Sequence, residues 1–65
     1  MPSKVIHHFE YRAESAELEI RFTTGRRYVY YMVSASVAAD MGRAFSKGEF
    51  FNTEIRDRFP FRRLD

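Results

Sequence analysis

The sequence predicts an α+β domain in which three antiparallel strands precede two short helices packed on one face of the sheet. Apolar and polar residues alternate with a period of two through the first half of the 65-residue chain, a pattern typical of half-buried strands. From Ser34 onward the apolar residues recur at helical spacing instead. Strands followed by helices, rather than alternating with them, favour the α+β class.

Length and composition indicate how such a domain is stabilised. The 65 residues are expected to form one domain, residues 1–65. A chain this short buries only about 60% of the surface that its unfolded form exposes. It has no Cys, which excludes disulfides and thiolate zinc sites. Seven Phe and four Tyr can supply a dense core, and dimerisation is the other way to complete one.

The first half of the chain contains three predicted strands. In the first, residues 5–12, one face holds Val5, His7, Phe9 and Tyr11. Residues 17–23 form the second strand, whose apolar face consists of Leu18, Ile20 and Phe22. Residues 26–33 are rich in Tyr and Val, which suits a third strand.

The loop at residues 23–25 determines which face the tyrosines of the third strand occupy. A two-residue loop would require a positive φ at Thr24, which a β-branched residue disfavours. A three-residue loop requires a positive φ only at Gly25, as a type I turn followed by a G1 bulge. The resulting register has three pairs: Phe22 with Arg26, Ile20 with Tyr28, and Leu18 with Tyr30.

This register sorts the side chains of the third strand onto two faces. The apolar face is predicted to hold Tyr28, Tyr30 and Met32. The opposite face is predicted to hold Arg27, Val29, Tyr31 and Val33, together with Glu19 and Arg21. Tyr31, Arg27 and Arg21 are therefore expected to be exposed on one surface.

The second half predicts two helices. Ser34 or Ser36 is expected to cap the first, and Gly48 is expected to end it in a left-handed conformation. Its apolar stripe consists of Val37, Met41, Ala44 and Phe45. A second helix is expected from about 49 to 58, with one side formed by Phe51, Ile55 and Phe59. Pro60 stops it, and the tail beyond is expected to be partly frayed.

Signals for catalysis are weak. His7 and His8 are adjacent, so on a strand they face opposite ways and cannot form a bidentate metal site; His7 is expected to be a half-buried structural residue. No glycine-rich phosphate loop and no Ser–His–acid pattern is present. We therefore predict a non-catalytic binding module with no catalytic residue, metal or cofactor.

Signals for binding are better. Nine of the 11 basic residues are Arg in a chain of net charge +2 and pI near 9.3. Single-stranded nucleic acids stack their bases on aromatic rings beside basic side chains, at about 1–3 kcal/mol per base. Candidate binding residues are Lys47, Arg56, Arg43, Tyr31, Arg27 and Arg21. Arg43 and Lys47, four apart, are expected to share a helix face.

The identity of the partner stays open at this point. One candidate is RNA or single-stranded DNA. The alternative is a protein partner, or a homodimer, bound through a sheet edge or an apolar patch. Tyr28 and Tyr30 can equally be core residues whose hydroxyls reach water.

No run approaches the roughly 18 apolar residues of a membrane span. The N-terminus lacks the apolar region of a signal peptide, so we expect a cytoplasmic protein without a membrane partner.

An ordered set of residues along nearly the whole chain resembles the KTSC domain family. The matching positions are Tyr11, Leu18-x-Ile20-x-Phe22-x-x-Gly25, Tyr28-x-Tyr30, Val33, Ala44-x-Ser46-Lys47-Gly48, Phe50-Phe51-Asn52 and Ile55-Arg56. This short domain is named after the C-terminus of some lysyl-tRNA synthetases and also occurs as a stand-alone bacterial protein. The resemblance implies a domain of essentially unknown function for which that attachment suggests RNA binding. It also marks five motif positions: Tyr28, Tyr30, Ser46, Gly48 and Asn52.

Two positions depart from the family pattern. Val33-Ser34 stands where a Val-Pro pair is frequent, and serine starts a helix equally well. Tyr11-Arg12 stands where Tyr-Asp is common, so no role for an acid is carried over to position 12.

Overall fold

The computed structural model describes residues 5–65 as a four-stranded antiparallel sheet with helices on one face. The elements in chain order are β1 (Ile6–Arg12), β2 (Glu17–Phe22), β3 (Arg27–Tyr30), α1 (Ala35–Arg43), α2 (Lys47–Phe50), a π-helical segment (Phe51–Ile55) and β4 (Phe61–Arg63). The predicted α+β class is confirmed. No helix within residues 5–65 has the length and apolar character needed to cross a membrane.

The β2–β3 hairpin has the predicted register. Gly25 adopts φ +93°, its N–H donates to the Phe22 carbonyl at 2.9 Å, and the Phe22 N–H donates to the Arg26 carbonyl at 2.9 Å. Ile20 then lies opposite Tyr28, and Leu18 lies opposite Tyr30. The argument from the unfavourable φ of a β-branched Thr24 is therefore confirmed.

The third strand is shorter than predicted because Met32 has a positive φ of 62°. The reversal ends β3 at Tyr30 and breaks the alternation of faces that the prediction extended to residue 33. Met32 is 76% exposed, whereas Val33 is fully buried and its N–H donates to the Ala16 carbonyl at 2.9 Å. The predicted positions of Met32 on the apolar face and Val33 on the opposite face were wrong.

A register shift in β1 changes which of its side chains reach the core. Ile6 lies opposite Phe22 and His8 lies opposite Arg21, so His7 is an extra residue in a bulge. Ile6 consequently packs on the core beside Phe9 and Tyr11, as predicted for the last two. Val5 and His7 are exposed, contrary to the prediction of a shared inward face and of a half-buried His7.

Two serine caps start the helices. The Ser34 Oγ accepts from the Val37 N–H at 3.3 Å, as expected, and the Ser46 Oγ accepts from the Glu49 N–H at 3.2 Å. The second cap was not predicted. It starts α2 at Lys47, so Gly48 lies inside that helix and does not end α1, and the prediction of a left-handed cap was wrong.

The early end of α1 at Arg43 has two further consequences. Phe45 falls in the turn between the helices and is 77% exposed, so it does not extend the stripe that includes the buried Met41. Arg43 and Lys47 belong to different helices and do not share a helix face.

The π-helical segment continues α2 and completes the core. The Arg56 N–H donates to the Phe51 carbonyl five residues earlier, at 2.9 Å. Phe51 and Ile55 are buried and Phe59 packs against the core, which confirms the predicted side of the second helix. The core cluster consists of Leu18, Ile20, Tyr30, Val33, Met41, Phe51 and Ile55.

The tail after Pro60 is ordered as β4 and not frayed. The Tyr31 N–H donates to the Pro60 carbonyl at 2.9 Å, and the Leu64 N–H donates to the Arg27 carbonyl at 2.8 Å. Phe61 thereby lies opposite Tyr30. Such backbone pairing of a three-residue strand leaves no periodic sequence pattern, which is why the prediction missed it.

Candidate functional site

An open groove of about 520 Å³ lies between the sheet and the helical part of the chain formed by α2 and the π-helical segment. Its sheet side includes Arg26, Tyr28, Tyr30 and Phe61, and its helical side includes Gly48, Asn52, Arg56 and Asp57. We call this the aromatic groove.

Three rings from neighbouring strands line the sheet side of the aromatic groove. Tyr28 and Tyr30 are two apart on β3, so they project from one face, with ring centroids 6.5 Å apart and planes 28° apart. Phe61 on β4 lies 5.7 Å from Tyr28 and 5.5 Å from Tyr30. Phe61 is 55% exposed and Tyr28 is half-buried, whereas Tyr30 is only 4% exposed. Phe61 and Tyr28 therefore offer accessible ring surface, and Tyr30 forms the floor.

Burial favours the protonated form of the Tyr30 hydroxyl at the floor of the aromatic groove. It raises the pKa of Tyr30 from 10.0 to about 12; Tyr28 and the carboxylate of Asp57 act in the same direction, and the Arg56 guanidinium opposes them. The phenol is therefore neutral near neutral pH and keeps its proton for hydrogen bonding. Arg56 and Asp57 line the aromatic groove together with Tyr30.

Two exposed arginines line the aromatic groove. Arg26 enters from the β2–β3 hairpin and Arg56 from the end of the π-helical segment. Within residues 5–65, neither guanidinium forms an ion pair. Their charges are thus available to an anionic ligand, with Asn52 supplying an amide that both donates and accepts.

The opposite face of the sheet carries charged side chains that form ion pairs with one another. The Glu19 carboxylate lies 2.7 Å from the Arg12 guanidinium and 3.7 Å from that of Arg27. The hydrogen bond from Arg12 to Glu19 raises the pKa of Arg12, although its burial opposes that shift. Two of the predicted binding residues, Arg27 and Arg21, lie opposite each other here, and Arg27 is already compensated.

Tyr31 does not lie beside Arg27 and Arg21. It follows the last residue of β3 and is half-buried. It lies four positions after Arg27 in the chain, which at the rise of a strand is about 13 Å. The predicted surface of Tyr31, Arg27 and Arg21 is therefore spread along the strand.

Arg43 and Lys47 interact with the end of α1. Arg43 pairs with Asp40 one turn earlier, and the Lys47 Nζ donates to the Gly42 carbonyl at 3.4 Å. Cations near the C-terminus of a helix stabilise it through its dipole. Neither side chain lines the aromatic groove, so Arg56 is the one predicted binding residue that does.

Four of the five motif positions line the aromatic groove: Tyr28, Tyr30, Gly48 and Asn52. The fifth, Ser46, is buried and caps α2. The predicted list of binding residues did not include Arg26, Asp57 or Phe61. The predicted pairing of Phe22 with Arg26 could have identified the first, because it puts Arg26 on the apolar face. Asp57 is one of several charged residues near the end of the predicted second helix, and Phe61 carried no signal before the tail was located.

Potential metal ligands do not converge in the described part of the chain, where no group of three or more His, Cys, Asp or Glu side chains is suited to a metal ion. His7 lies at the bulge of β1, and His8 lies opposite Arg21. The lining of the aromatic groove offers aromatic rings, hydrogen-bonding groups and charged side chains.

Comparisons with known proteins agree with this architecture. The KTSC domain family matches residues 2–59. A lysine–tRNA ligase of Nostoc punctiforme is 40% identical over 60 residues, covering 92% of this chain and 11% of the ligase. A second lysine–tRNA ligase, from Trichormus variabilis, is 29% identical over 59 residues, covering 91% and 10%. The chain thus spans about a tenth of the length of these curated relatives.

A solved structure matches the whole fold. The crystal structure of a KTSC domain protein from Yersinia pestis superposes with a TM-score of 0.90 at 28% identity. The alignment covers 100% of this chain and 94% of that one. With the order of motif residues and the architecture described above, these matches establish that the chain belongs to the KTSC domain family.

Proposed function

We propose that this domain binds single-stranded nucleic acid, and RNA in particular, in the aromatic groove. The observation that carries the proposal is the pair of exposed arginines without ion-pair partners in the described chain, Arg26 and Arg56, beside the accessible rings of Tyr28 and Phe61. Stacked bases and neutralised phosphates are the two interactions by which single strands are held without a double helix.

The dimensions and polar groups of the aromatic groove support a nucleotide ligand. A volume of about 520 Å³ falls within the range of small-ligand pockets. Phe61 and Tyr28 offer π-faces, which every base can stack on. The neutral Tyr30 hydroxyl and the Asn52 amide can hydrogen-bond to polar edges of the base.

The relatives favour RNA over DNA. The two curated relatives are lysine–tRNA ligases, whose name states that they join lysine to a tRNA. A segment of such an enzyme that contacts the nucleic acid would need a positive, ring-lined surface of this kind.

A protein partner or homodimer bound through a sheet edge has less support. The outer strand β1 carries a bulge at His7 and charged side chains, and the other outer strand, β4, has only three residues. Bulges, charges and short length all disfavour edge-to-edge strand pairing. An RNA ligand in the aromatic groove is therefore the function that we favour.

The test compares three variants that each remove one positive charge. Arg26→Gln and Arg56→Gln change the aromatic groove, and Arg21→Gln is the matched control on the opposite face of the sheet. Fluorescence anisotropy with a labelled single-stranded RNA of about 12 nucleotides measures Kd across a series of salt concentrations.

We expect log K to fall with log salt by about 0.7 for each phosphate contacted, and each groove variant to reduce that slope by about 0.7. Arg21→Gln should leave both affinity and slope close to those of the unmodified domain. The absence of binding at low salt, or an equal loss in all three variants, would refute the proposal. Salt-insensitive association with a protein would favour the alternative.

A further inference from the structure

We propose that Asp57 makes the aromatic groove selective for RNA by accepting a hydrogen bond from a ribose 2′-hydroxyl. This inference deepens the proposed function and rests on it. Asp57 is the acidic residue of the groove lining, and it directly follows Arg56 in the chain.

The carboxylate of Asp57 is exposed and has no ion-pair partner within residues 5–65. This sets it apart from acids such as Glu19 and Asp40, whose charges are compensated by arginines. An ionised carboxylate only accepts hydrogen bonds and repels a phosphate. A ligand that covers Asp57 must therefore present a donor to it, because a buried acceptor without a partner is costly.

The position of Asp57 selects the sugar as the source of that donor. Arg56 and Asp57 are consecutive residues on the helical side of the aromatic groove, whereas the rings of Phe61 and Tyr28 belong to its sheet side, so the carboxylate is grouped with a guanidinium and not with the stacking rings. In a bound nucleotide the ribose lies between the phosphate and the stacked base. The 2′-hydroxyl of the ribose is the hydrogen-bond donor between the phosphate and the base, and it is the group by which proteins distinguish RNA from DNA.

In DNA the same carbon carries only hydrogen. A bound DNA strand would therefore shield the Asp57 carboxylate from water without donating a hydrogen bond to it. We therefore expect the domain to bind RNA at least about tenfold more tightly than DNA of the same sequence, which corresponds to one hydrogen bond to a charged group.

The experiment measures Kd by anisotropy for three single strands of one sequence: RNA, DNA and 2′-O-methyl RNA, which retains the oxygen but lacks the donor. The unmodified domain is compared with Asp57→Ala and with Glu54→Ala. Glu54→Ala is the matched control, because it removes an exposed carboxylate from the π-helical segment outside the groove lining. Circular dichroism melts establish that each variant is folded.

We expect the RNA-to-DNA affinity ratio to fall from about ten or more to about one in Asp57→Ala and to be unchanged in Glu54→Ala. The 2′-O-methyl RNA should bind the unmodified domain as weakly as DNA does. Equal binding of RNA and DNA, with the effect of Arg56→Gln retained, would overturn this inference and leave the proposed function standing.

Three other outcomes are also decisive. An RNA preference that survives in Asp57→Ala, or a methylated strand that binds as well as RNA, would overturn the role of the 2′-hydroxyl. The second result would show that the preference does not depend on a hydrogen bond donated by the sugar. Failure to bind any of the strands would overturn the proposed function together with the inference.

Discussion

Replacing Tyr30 by Phe is expected to make the domain more resistant to alkaline pH. The ring of Tyr30 is packed edge to face against Phe51, with centroids 5.4 Å apart, and it is almost fully buried. Burial raises the pKa of its hydroxyl to about 12, against 10.0 for an exposed tyrosine. The folded state therefore holds the proton more tightly than the unfolded state does.

The sign of the effect follows from that difference. Below pH 10 both states are protonated and the full stability is present; as the pH rises through the folded pKa, ionisation increasingly favours unfolding. Each pKa unit corresponds to about 1.4 kcal/mol, so the full loss is on the order of 3 kcal/mol, and about half of it has occurred by pH 11. A small domain with a free energy of unfolding near the lower end of about 5–15 kcal/mol loses a large fraction of it.

Phenylalanine retains the ring and removes the ionisable hydroxyl, so the comparison isolates the titration. Urea unfolding at pH 8 and pH 11 gives the free energy of unfolding of both proteins. We expect the unmodified domain to lose on the order of 1 kcal/mol more than Tyr30→Phe between these two pH values. Absorbance titration of the tyrosinate should show a component near pH 12 that is missing from the variant. Parallel losses of stability in the two proteins would refute the assignment of this effect to Tyr30.

Three further substitutions test how the backbone is held, each by thermal or urea unfolding. Gly25→Ala should destabilise the domain by about 1 kcal/mol or more, since φ +93° is strained for a residue with a Cβ. Gly42→Ala is its control: this helical glycine has an ordinary φ and a new Cβ would meet the Phe9 ring at 3.8 Å, so we expect a gain of about 0.5–1 kcal/mol. Loss of stability in both, or in neither, would contradict the turn argument. Ser46→Ala should cost about 0.5–2 kcal/mol by removing the cap of α2, and no change would show that the cap is dispensable.

The candidate site was only partly predictable. Tyr28 and Tyr30 were placed on the apolar face because a local rule, the φ of Thr24 against that of Gly25, determines the hairpin register. Arg56 was predicted as a binding residue from its charge and from its place in the family motif, and it does line the aromatic groove. Arg21, Arg27 and Tyr31 were grouped by alternation, yet a strand separates residues along its length as well as sorting them by face.

Local patterns in the sequence determined the α+β class, the β2–β3 register, a serine cap at Ser34 or Ser36 and the inward side of the second helix, because each depends on residues that are neighbours in the chain. The tertiary structure alone decided the rest. Pairing of β4 with β3 brings Phe61 beside Tyr28 and Tyr30, and the turn at Met32 buries Val33. The groove exists only where chain segments far apart in sequence meet, since backbone pairing and burial between such segments leave no local periodicity to read.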